Sequence, residues 1–318
     1  MVHNRFVSSD RFVSSDDALA ADFDSHRGHL IGIAYRLTGR LQDAEDAVQE
    51  AWLRLAALDA DARGRIRDLA AWLTTVVGRI CLDRMRSAAH RREQYVGPWL
   101  PEPLVTPADG TPDPLDEVVQ RDDVRMAAVR VLHELTPDQR LAFVLHDGFD
   151  VPFDEIADVL GVTVAAARQH ASRGRKRIGD EPPARTELPE QQRLLEEFLA
   201  AIGSGDLGSL TEILHPEVTL YGDSGGKART ARRPIVGVDK VGRFILGIID
   251  MYGTERTLDA ARPALVNGDV GFVLPAPSSD LDRSGKIHPR VFTASVREGR
   301  ITEIFDVVNP DKLTHVTL

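Results

Sequence analysis

Apolar and polar positions along the chain follow two different periods. In the first half, apolar side chains recur at the spacing of amphipathic helices, which predicts helices at 24–38, 41–58 and 68–86 and again within 115–178. Residues 97–114 separate these stretches, and their six prolines exclude a helix or a central strand. The pattern therefore predicts two helical units joined by a Pro-rich linker.

The period changes after a second proline-containing segment at 180–189. Helices are predicted at 191–202 and 207–214. Alternating positions typical of strands follow at 218–221, 271–274, 291–296 and 301–308, with a hairpin turn at Glu298 and Gly299. We expect a multidomain chain of two all-α units followed by an α+β unit. The expected boundaries are 1–20 for a disordered lead-in, 21–96 and 115–179 for the helical units, 97–114 and 180–189 for linkers, and 190–318 for the α+β unit.

The composition is that of a folded chain in a reducing compartment. Of the 318 residues, 42% are hydrophobic and 28% charged, which is ordinary globular usage. No apolar run approaches the roughly 18–20 residues that span a bilayer, so we expect a cytoplasmic protein without membrane contact. Cys81 is the single cysteine, which excludes an internal disulfide and a cysteine-based zinc site. We predict no cofactor and no metal.

Charge is distributed unevenly along the chain. The net charge of −10 argues against a nucleic-acid-binding protein. However, the helix predicted from residue 41 carries acids and no base on its first three turns, whereas residues 79–92 and 163–178 are strongly basic. Two basic helices in an acidic chain indicate contact with nucleic acid.

Residues 136–178 fit a helix-turn-helix. Thr136 and Gln139 form a capping box with proline at the first helical position, a turn is predicted at 147–148, and a helix at 153–160 ends at Gly161. The next helix is predicted to turn Val164, Ala167 and Ala171 inward. Its outward residues Arg168, Gln169, Ser172 and Arg173 are suited to base edges, and Arg175, Lys176 and Arg177 to phosphates.

Three segments together resemble the extracytoplasmic-function group of bacterial sigma factors, which belong to the sigma-70 family. These segments are DAEDAVQEAWLRL at 43–55, AWLTTVVGRICLDRMRSAAHRRE at 71–93, and the helix-turn-helix at 135–178. The resemblance implies a region 2 helical bundle and a region 4 helix-turn-helix, which bind core RNA polymerase (β′ clamp helices and β subunit) and promoter DNA.

The resemblance also implies roles for individual residues. The residues implied to contact the polymerase are Asp43, Asp46, Gln49 and Glu50. Those implied to contact the minus-ten element are Arg79, Arg84, Arg86, Arg91 and Arg92, and the helix at 163–177 is implied to read the minus-thirty-five element. Gly78 and Arg79 stand where many relatives have Arg-Asn, so the base preference at the minus-ten element does not carry over.

The tail resembles the SnoaL-like, nuclear-transport-factor-2-like cone fold. GPWLPEPL at 97–104, DSGGK at 223–227 and NPDKL at 309–313 resemble segments of the sigma-factor subgroup that carries this extension, in which Ser224 is usually glycine. The resemblance implies control in cis by the tail and a pocket for a possible small-molecule ligand. The implied regulatory residues are Trp99, Leu100, Pro101, Asp223, Gly225, Gly226, Lys227, Asn309, Pro310, Asp311 and Lys312.

The alternative is a helix-turn-helix transcription regulator with a ligand-sensing or catalytic, cyclase- or isomerase-like tail. Its potential acid and base groups are His215, Tyr221, Asp223, Lys227 and Asp306. The simpler interpretation of 223–226, with two glycines beside Asp223, is a mobile surface loop. Because a plain regulator leaves the acidic helix and the first basic helix unexplained, we predict a sigma factor and no enzymatic activity.

Overall fold

The structure, a computed structural model, describes residues 15–92, 95–109, 111, 118, 124–178, 186–275 and 288–316. Within these ranges, no helix combines the length and apolar character needed to cross a bilayer. The expected linker at 180–189 falls mostly outside them. Most of the expected lead-in, residues 1–14, also lies outside.

The first helical unit begins earlier than the sequence pattern indicates. Its helices are α1 (Ser15–Thr38), α2 (Leu41–Ala56), α3 (Ala60–Gly64) and α4 (Leu69–Arg92). Residues 15–20, expected in the disordered lead-in, instead form the first turns of α1. Leu19 packs against the core of the unit, which gives these turns an apolar contact.

The second helical unit contains α5 (Met126–Leu132), α6 (Pro137–Phe143), α7 (Phe153–Leu160) and α8 (Val164–Ile178). The predicted capping box is present: the Thr136 side chain accepts from Gln139 N and the Gln139 side chain accepts from Thr136 N. The predicted turn at 147–148 is a π-helical turn, Val144–Gly148, and the chain reverses at Asp150 with φ of 54°. Gly161 ends α7 at φ of 70°, a left-handed conformation that glycine adopts without strain.

The C-terminal domain is α+β, as expected. Helices α9 (Leu188–Ser204), α10 (Leu207–Ile213), α11 (Val238–Tyr252) and α12 (Thr254–Ala260) accompany a seven-stranded sheet. The strands are β1 (Val105–Pro107), β2 (Leu214–Asp223), β3 (Ile235–Val236), β4 (Arg262–Val266), β5 (Asp269–Leu274), β6 (Arg290–Arg297) and β7 (Arg300–Val307). Their order is β1-β4-β5-β6-β7-β2-β3, and β2 pairs parallel to β7 in an otherwise antiparallel sheet.

The Pro-rich linker is not a free tether. Residues 105–107 form the edge strand β1, which pairs antiparallel with β4, and Leu100 and Leu104 are fully buried. Proline is tolerated in β1 because an edge strand leaves one row of N–H positions unpaired. Residues 105–107 of the linker are therefore part of the C-terminal sheet. Residues 110 and 112–114 of the expected linker lie outside the described residues.

Three hydrophobic cores hold these parts together. The first runs from Phe23 to Ala171 and is shared by the two helical units. The second lies between the sheet and the helices of the C-terminal domain. The third covers other sheet residues, such as Val266 and Phe305, with Leu100 of the linker and Met126 of α5. We call this packing of both helical units and the C-terminal domain against one another the closed arrangement.

Candidate polymerase and promoter interface

Helix α2 presents an acidic face to solvent. Its inward residues are Leu41, Ala44, Ala47, Val48, Ala51 and Leu55, all buried. On the other side, Asp46 and Gln49 are exposed, and Asp43 and Glu50 are half-buried. Leu53, which is apolar, is 59% exposed. A groove of about 440 Å³ between α1 and α2 is bordered by Phe23, Asp24, Asp46, Gln49 and Trp52. Carboxylates beside apolar side chains suit a partner surface that is basic around an apolar centre.

Arg84 of α4 contacts the residues of this acidic face. Its guanidinium donates to the Asp43 carbonyl (Nη1–O, 2.9 Å) and lies 3.8 Å from Asp46 Oδ2 and 3.7 Å from Glu50 Oε2. The resemblance grouped Arg84 with the minus-ten contacts, but α4 turns this position towards α2 because the two helices pack together. In this structure Arg84 is thus placed to orient the acidic face.

One face of the basic helix α4 packs against the second helical unit. Arg79 donates to the Asp158 carbonyl (Nη2–O, 3.4 Å), and Arg86 pairs with Asp138 at 2.9 Å. Gly78 faces the second unit, where an added Cβ would meet Leu145, Leu141 and Val159 at 3.4–3.8 Å. Arg91 and Arg92 are the last residues of α4, and their side chains lie outside the description. In the closed arrangement Arg79 and Arg86 therefore contact the second helical unit while remaining exposed at its edge.

The second basic helix, α8, shows its polar face to solvent. Ala167, Ala171 and Gly174 are buried. The residues predicted to point outward are all exposed: Arg168, Gln169, Ser172, Arg173, Arg175, Lys176 and Arg177. Val164 was predicted to point inward and is 37% exposed, because the first turn of α8 lies at the surface with the preceding Val162 and Thr163. Arg175 also pairs with Asp147 at 2.5 Å.

The three tail signatures meet at one buried carboxylate. Asp223 is fully buried and accepts from Tyr95 Oη (2.5 Å), Leu100 N (2.8 Å) and Lys312 Nζ (2.7 Å). Burial, and then the neighbouring Asp223 carboxylate, raise the pKa of Tyr95, which keeps its hydroxyl protonated as the donor. Asn309 donates to the same hydroxyl at 2.8 Å. Asp223 is therefore a structural anchor, and the alternative of a mobile surface loop here is wrong.

Trp99 extends this cluster to the second helical unit. The Trp99 ring stacks on His133 with the ring centroids 4.1 Å apart. Lys312 Nζ lies 4.2 Å from the centroid of the Trp99 ring and forms a cation–π contact with it. Pro101 is buried, whereas Pro310 and Asp311 are exposed. Lys227, another predicted regulatory residue, forms an exposed ion pair with Asp311. Gly225 and Gly226 both have positive φ, at 55° and 78°.

A second cluster joins all the units at the tip of the β4–β5 hairpin. Asn267 is 1% exposed and its Nδ2 donates to Tyr35 Oη of α1 (2.8 Å) and to the Val124 carbonyl (2.7 Å). Its Oδ1 accepts from Leu104 N at 3.1 Å. Nearby, buried Glu102 accepts from Leu41 N at the start of α2 (3.2 Å) and pairs with His315 at 2.8 Å.

Arg140 connects the helical units directly. It is 3% exposed, and its guanidinium donates to the Leu37 carbonyl at the end of α1 (2.8 Å) and to the Leu132 carbonyl (2.9 Å). Sequence reasoning missed Arg140, Asn267, Glu102 and His315. Asn267 and Gly268 do form a hairpin dipeptide, which signals a turn, but no local pattern shows what that turn contacts.

Comparison with known proteins decides the family. The model "Sigma-70 region 2" matches residues 23–91, and "Sigma-70, region 4" matches residues 125–178. The ECF RNA polymerase sigma factor SigJ of Mycobacterium tuberculosis is 50% identical over 297 residues, covering 92% of this chain and 93% of the relative. This chain belongs to the extracytoplasmic-function sigma factors of the sigma-70 family.

The similarity extends through the C-terminal domain. The probable ECF sigma factor SigI of M. tuberculosis is 33% identical over 307 residues, covering 95% of this chain and 97% of the relative. The crystal structure of M. tuberculosis SigJ superposes with a TM-score of 0.78 at 47% identity, covering 93% of this chain and 98% of that one. This sigma factor directs transcription initiation at promoters, and the alternative of a plain helix-turn-helix regulator is excluded by the region 2 match.

Proposed function

We propose that the acidic face of α2, with Asp46 and Gln49 at its exposed centre and Asp43 and Glu50 beside them, binds core RNA polymerase at the β′ clamp helices. Helix α8 reads the minus-thirty-five element and α4 the minus-ten element. The exposed basic face of α8 and the acidic face of α2 support this division. The protein acts where its polymerase does, in the cytoplasm, and the β subunit supplies further contacts.

The C-terminal domain acts in cis by stabilising the closed arrangement. The observation that carries this proposal is the shared packing. Region 4 contacts α4 through the Arg86–Asp138 ion pair and at Gly78. Asn267 and Met126 join the C-terminal sheet to the two helical units. In this state the minus-ten side chains Arg79 and Arg86 are engaged by region 4.

Promoter geometry requires these contacts to open. The two elements lie about 25 base pairs apart by their names, which is roughly 80 Å at about 3.4 Å per base pair. Regions 2 and 4 share one hydrophobic core here, so α4 and α8 cannot reach both elements together. Promoter recognition therefore needs the two regions to separate, and the tail adds contacts that oppose separation.

A reversible cross-link tests this proposal. Ser87→Cys on α4 and Pro137→Cys on α6 place two thiols in the groove beside the Arg86–Asp138 contact, which both substitutions leave in place, for joining by a bis-maleimide that contains a disulfide. Burial raises the pKa of native Cys81 to about 12, so this thiol stays protonated and reacts slowly. The measurement is run-off transcription by the reconstituted holoenzyme before and after a reductant cleaves the linker.

We expect the cross-linked protein to initiate poorly and the reductant to restore initiation. Each single-cysteine variant, capped with a mono-maleimide, is the matched control and keeps its activity. Undiminished initiation by the fully cross-linked holoenzyme would show that regions 2 and 4 need not separate.

Catalysis is not part of the proposal. Asp223 is saturated by Tyr95, Leu100 and Lys312 together with a fourth donor, Gly225 N at 3.1 Å. Asp306 is held by Thr230 (2.5 Å) and Arg290 (3.3 Å). The apolar cavity among Phe198, Phe272 and Phe292 measures about 40 Å³, room for only a few water molecules. A small-molecule ligand at this position requires the cavity to open.

A further inference from the structure

Two valines stand exposed at the tip of the second basic helix. Val162 and Val164 are 36% and 37% exposed, and they are two of only seven large hydrophobic side chains exposed within the described ranges. They flank Thr163, which caps α8. Because water is an unfavourable environment for an isopropyl group, a pair of exposed valines at one tip favours a partner that covers them.

The tip is a rigid platform. Gly161 ends α7 in the left-handed conformation, and Val162 N donates to the Ala157 carbonyl at 3.0 Å. Thr163 Oγ1 then accepts from Ala166 N at 3.2 Å, which fixes the first turn of α8. The valines therefore hold their positions on the surface without being buried by the rest of region 4.

Charge identifies the partner as duplex DNA. Helix α8 carries five basic residues and no acid, and in a helix-turn-helix the N-terminal residues of the second helix contact base edges. In the major groove of unmodified DNA, the apolar group on a base edge is the C5-methyl group of thymine. We propose that Val162 and Val164 read thymine methyl groups in the minus-thirty-five element. This inference rests on the proposed role of α8.

The position of Arg168 fixes where those thymines lie. Arg168 is four residues beyond Val164, about 6 Å along the helix at about 1.5 Å per residue, or roughly two base pairs. Its guanidinium sits 5.7 Å from the centre of the Phe153 ring, which in turn packs on His146 at 3.8 Å. This stack orients Arg168, which suits bidentate contact with guanine. A thymine should lie within about two base pairs of the base pair read by Arg168.

Replacing thymine by uracil tests the proposal, since uracil keeps the base pair and lacks only the methyl group. The holoenzyme first selects minus-thirty-five sequences from a randomised library, and each selected thymine is then replaced singly. We expect about fourfold weaker binding at one or two positions, the effect of one methyl group losing its apolar contact. Val162→Ala and Val164→Ala should each bind the thymine and uracil templates equally at the position that the replaced valine contacts.

Matched variants separate this reading from general effects. Val236→Ala changes a valine that is 53% exposed in the C-terminal domain and should keep the full preference for thymine. Val164→Thr retains one of the two valine methyl groups and should keep part of the preference for thymine. An undiminished thymine preference in both Val→Ala variants, or no thymine preference in the parent protein, overturns the proposal. Selection unchanged by Arg168→Ala would instead count against α8 as the reader of this element.

Discussion

The side-chain amide of Asn267 donates a 2.8 Å hydrogen bond to the hydroxyl of Tyr35, 232 residues away along the chain. Both groups are buried, and burial raises the pKa of Tyr35, so its hydroxyl stays neutral. The Tyr35 hydroxyl in turn donates to the Glu102 carbonyl at 2.7 Å. One continuous chain of hydrogen bonds thus joins the C-terminal hairpin, region 2 and the linker.

Replacing Asn267 should weaken the closed arrangement. Asn267→Gly tolerates the positive φ of 52° but removes the side-chain amide, leaving buried partners unpaired at a cost of about 1–3 kcal/mol. The free energy of unfolding in urea should fall by about this amount, and amide exchange in α1 should accelerate. Asn309→Gly is not a suitable control because it lies in the Asp223 cluster. Glu298→Gly, at a hairpin position with the same φ of 52°, should show neither effect.

The buried Lys312–Asp223 ion pair should show strong coupling. Removing either charge, by Lys312→Met or Asp223→Asn, leaves the other without its opposite charge and should cost about 3–5 kcal/mol. The double variant should cost clearly less than the sum of the single variants. A double-mutant cycle by urea unfolding measures the coupling, and additive effects would contradict the buried pairing seen at 2.7 Å.

The His315–Glu102 pair should make the closed arrangement depend on pH. Burial alone lowers the pKa of His315, but the interaction with Glu102, the Pro103 carbonyl and the charge of Glu45 together raise it above its usual 6.5. Arg40 also lies 3.8 Å from Glu102.

Since the folded-state pKa is raised, the stabilisation by His315 is fully present below about pH 6.5 and is lost as the pH rises through the folded value. As the pH rises through the folded-state pKa of His315, the thermal stability of the parent protein should therefore fall more than that of His315→Gln. Parallel pH profiles for the two proteins would show that the pair contributes nothing.

Two basic residues of α8 should affect DNA binding differently. Arg168→Ala should relax the choice of sequence at one base pair by about 1–3 kcal/mol. Lys176→Ala should weaken binding to all promoters alike and reduce the slope of log affinity against log salt by about one. Binding titrations at several salt concentrations distinguish the two, and equal effects on all promoters would count against the assignment of Arg168.

Reversing charge on the acidic face should abolish association with core polymerase. Asp46→Lys with Glu50→Lys replaces carboxylates at 47% and 40% side-chain exposure, so the fold should survive. Glu196→Lys with Glu197→Lys, on exposed positions of α9, is the matched control. Co-purification with core polymerase reports the outcome, and retained association would mean that α2 is not the contact.

The sequence predicted most of the elements because their signals are local. The capping box at Thr136, the glycine stop at Gly161 and the alternation in β5 to β7 all appeared where expected. The strands β1, β3 and β4 were missed, since they are short or contain proline and take their stability from pairing. Helices α11 and α12 were also missed, in a stretch for which no element was predicted.

In the candidate site, too, features set by local spacing were predicted and features set by tertiary packing were not. Exposure of Arg168 and Gln169 follows from helical spacing and was predicted. The contacts of Arg84 with the acidic face were not predicted, because its direction depends on how α4 packs on α2. Val164 was wrongly predicted to point inward, because burial of a first turn depends on what lies beside it. The contacts of Asn267 and Glu102 are set by tertiary packing over more than sixty residues, which no local pattern encodes.

The third hydrophobic core has a consequence for how such a chain arises. Leu100 and Met126 complete the face of a sheet whose other members, such as Val266 and Phe305, come from the C-terminal domain. A C-terminal extension separated from its sigma regions would expose an apolar surface that is prone to aggregation. Exchanging the extension between relatives should therefore succeed only when the linker and region 4 residues that contact it are transferred as well.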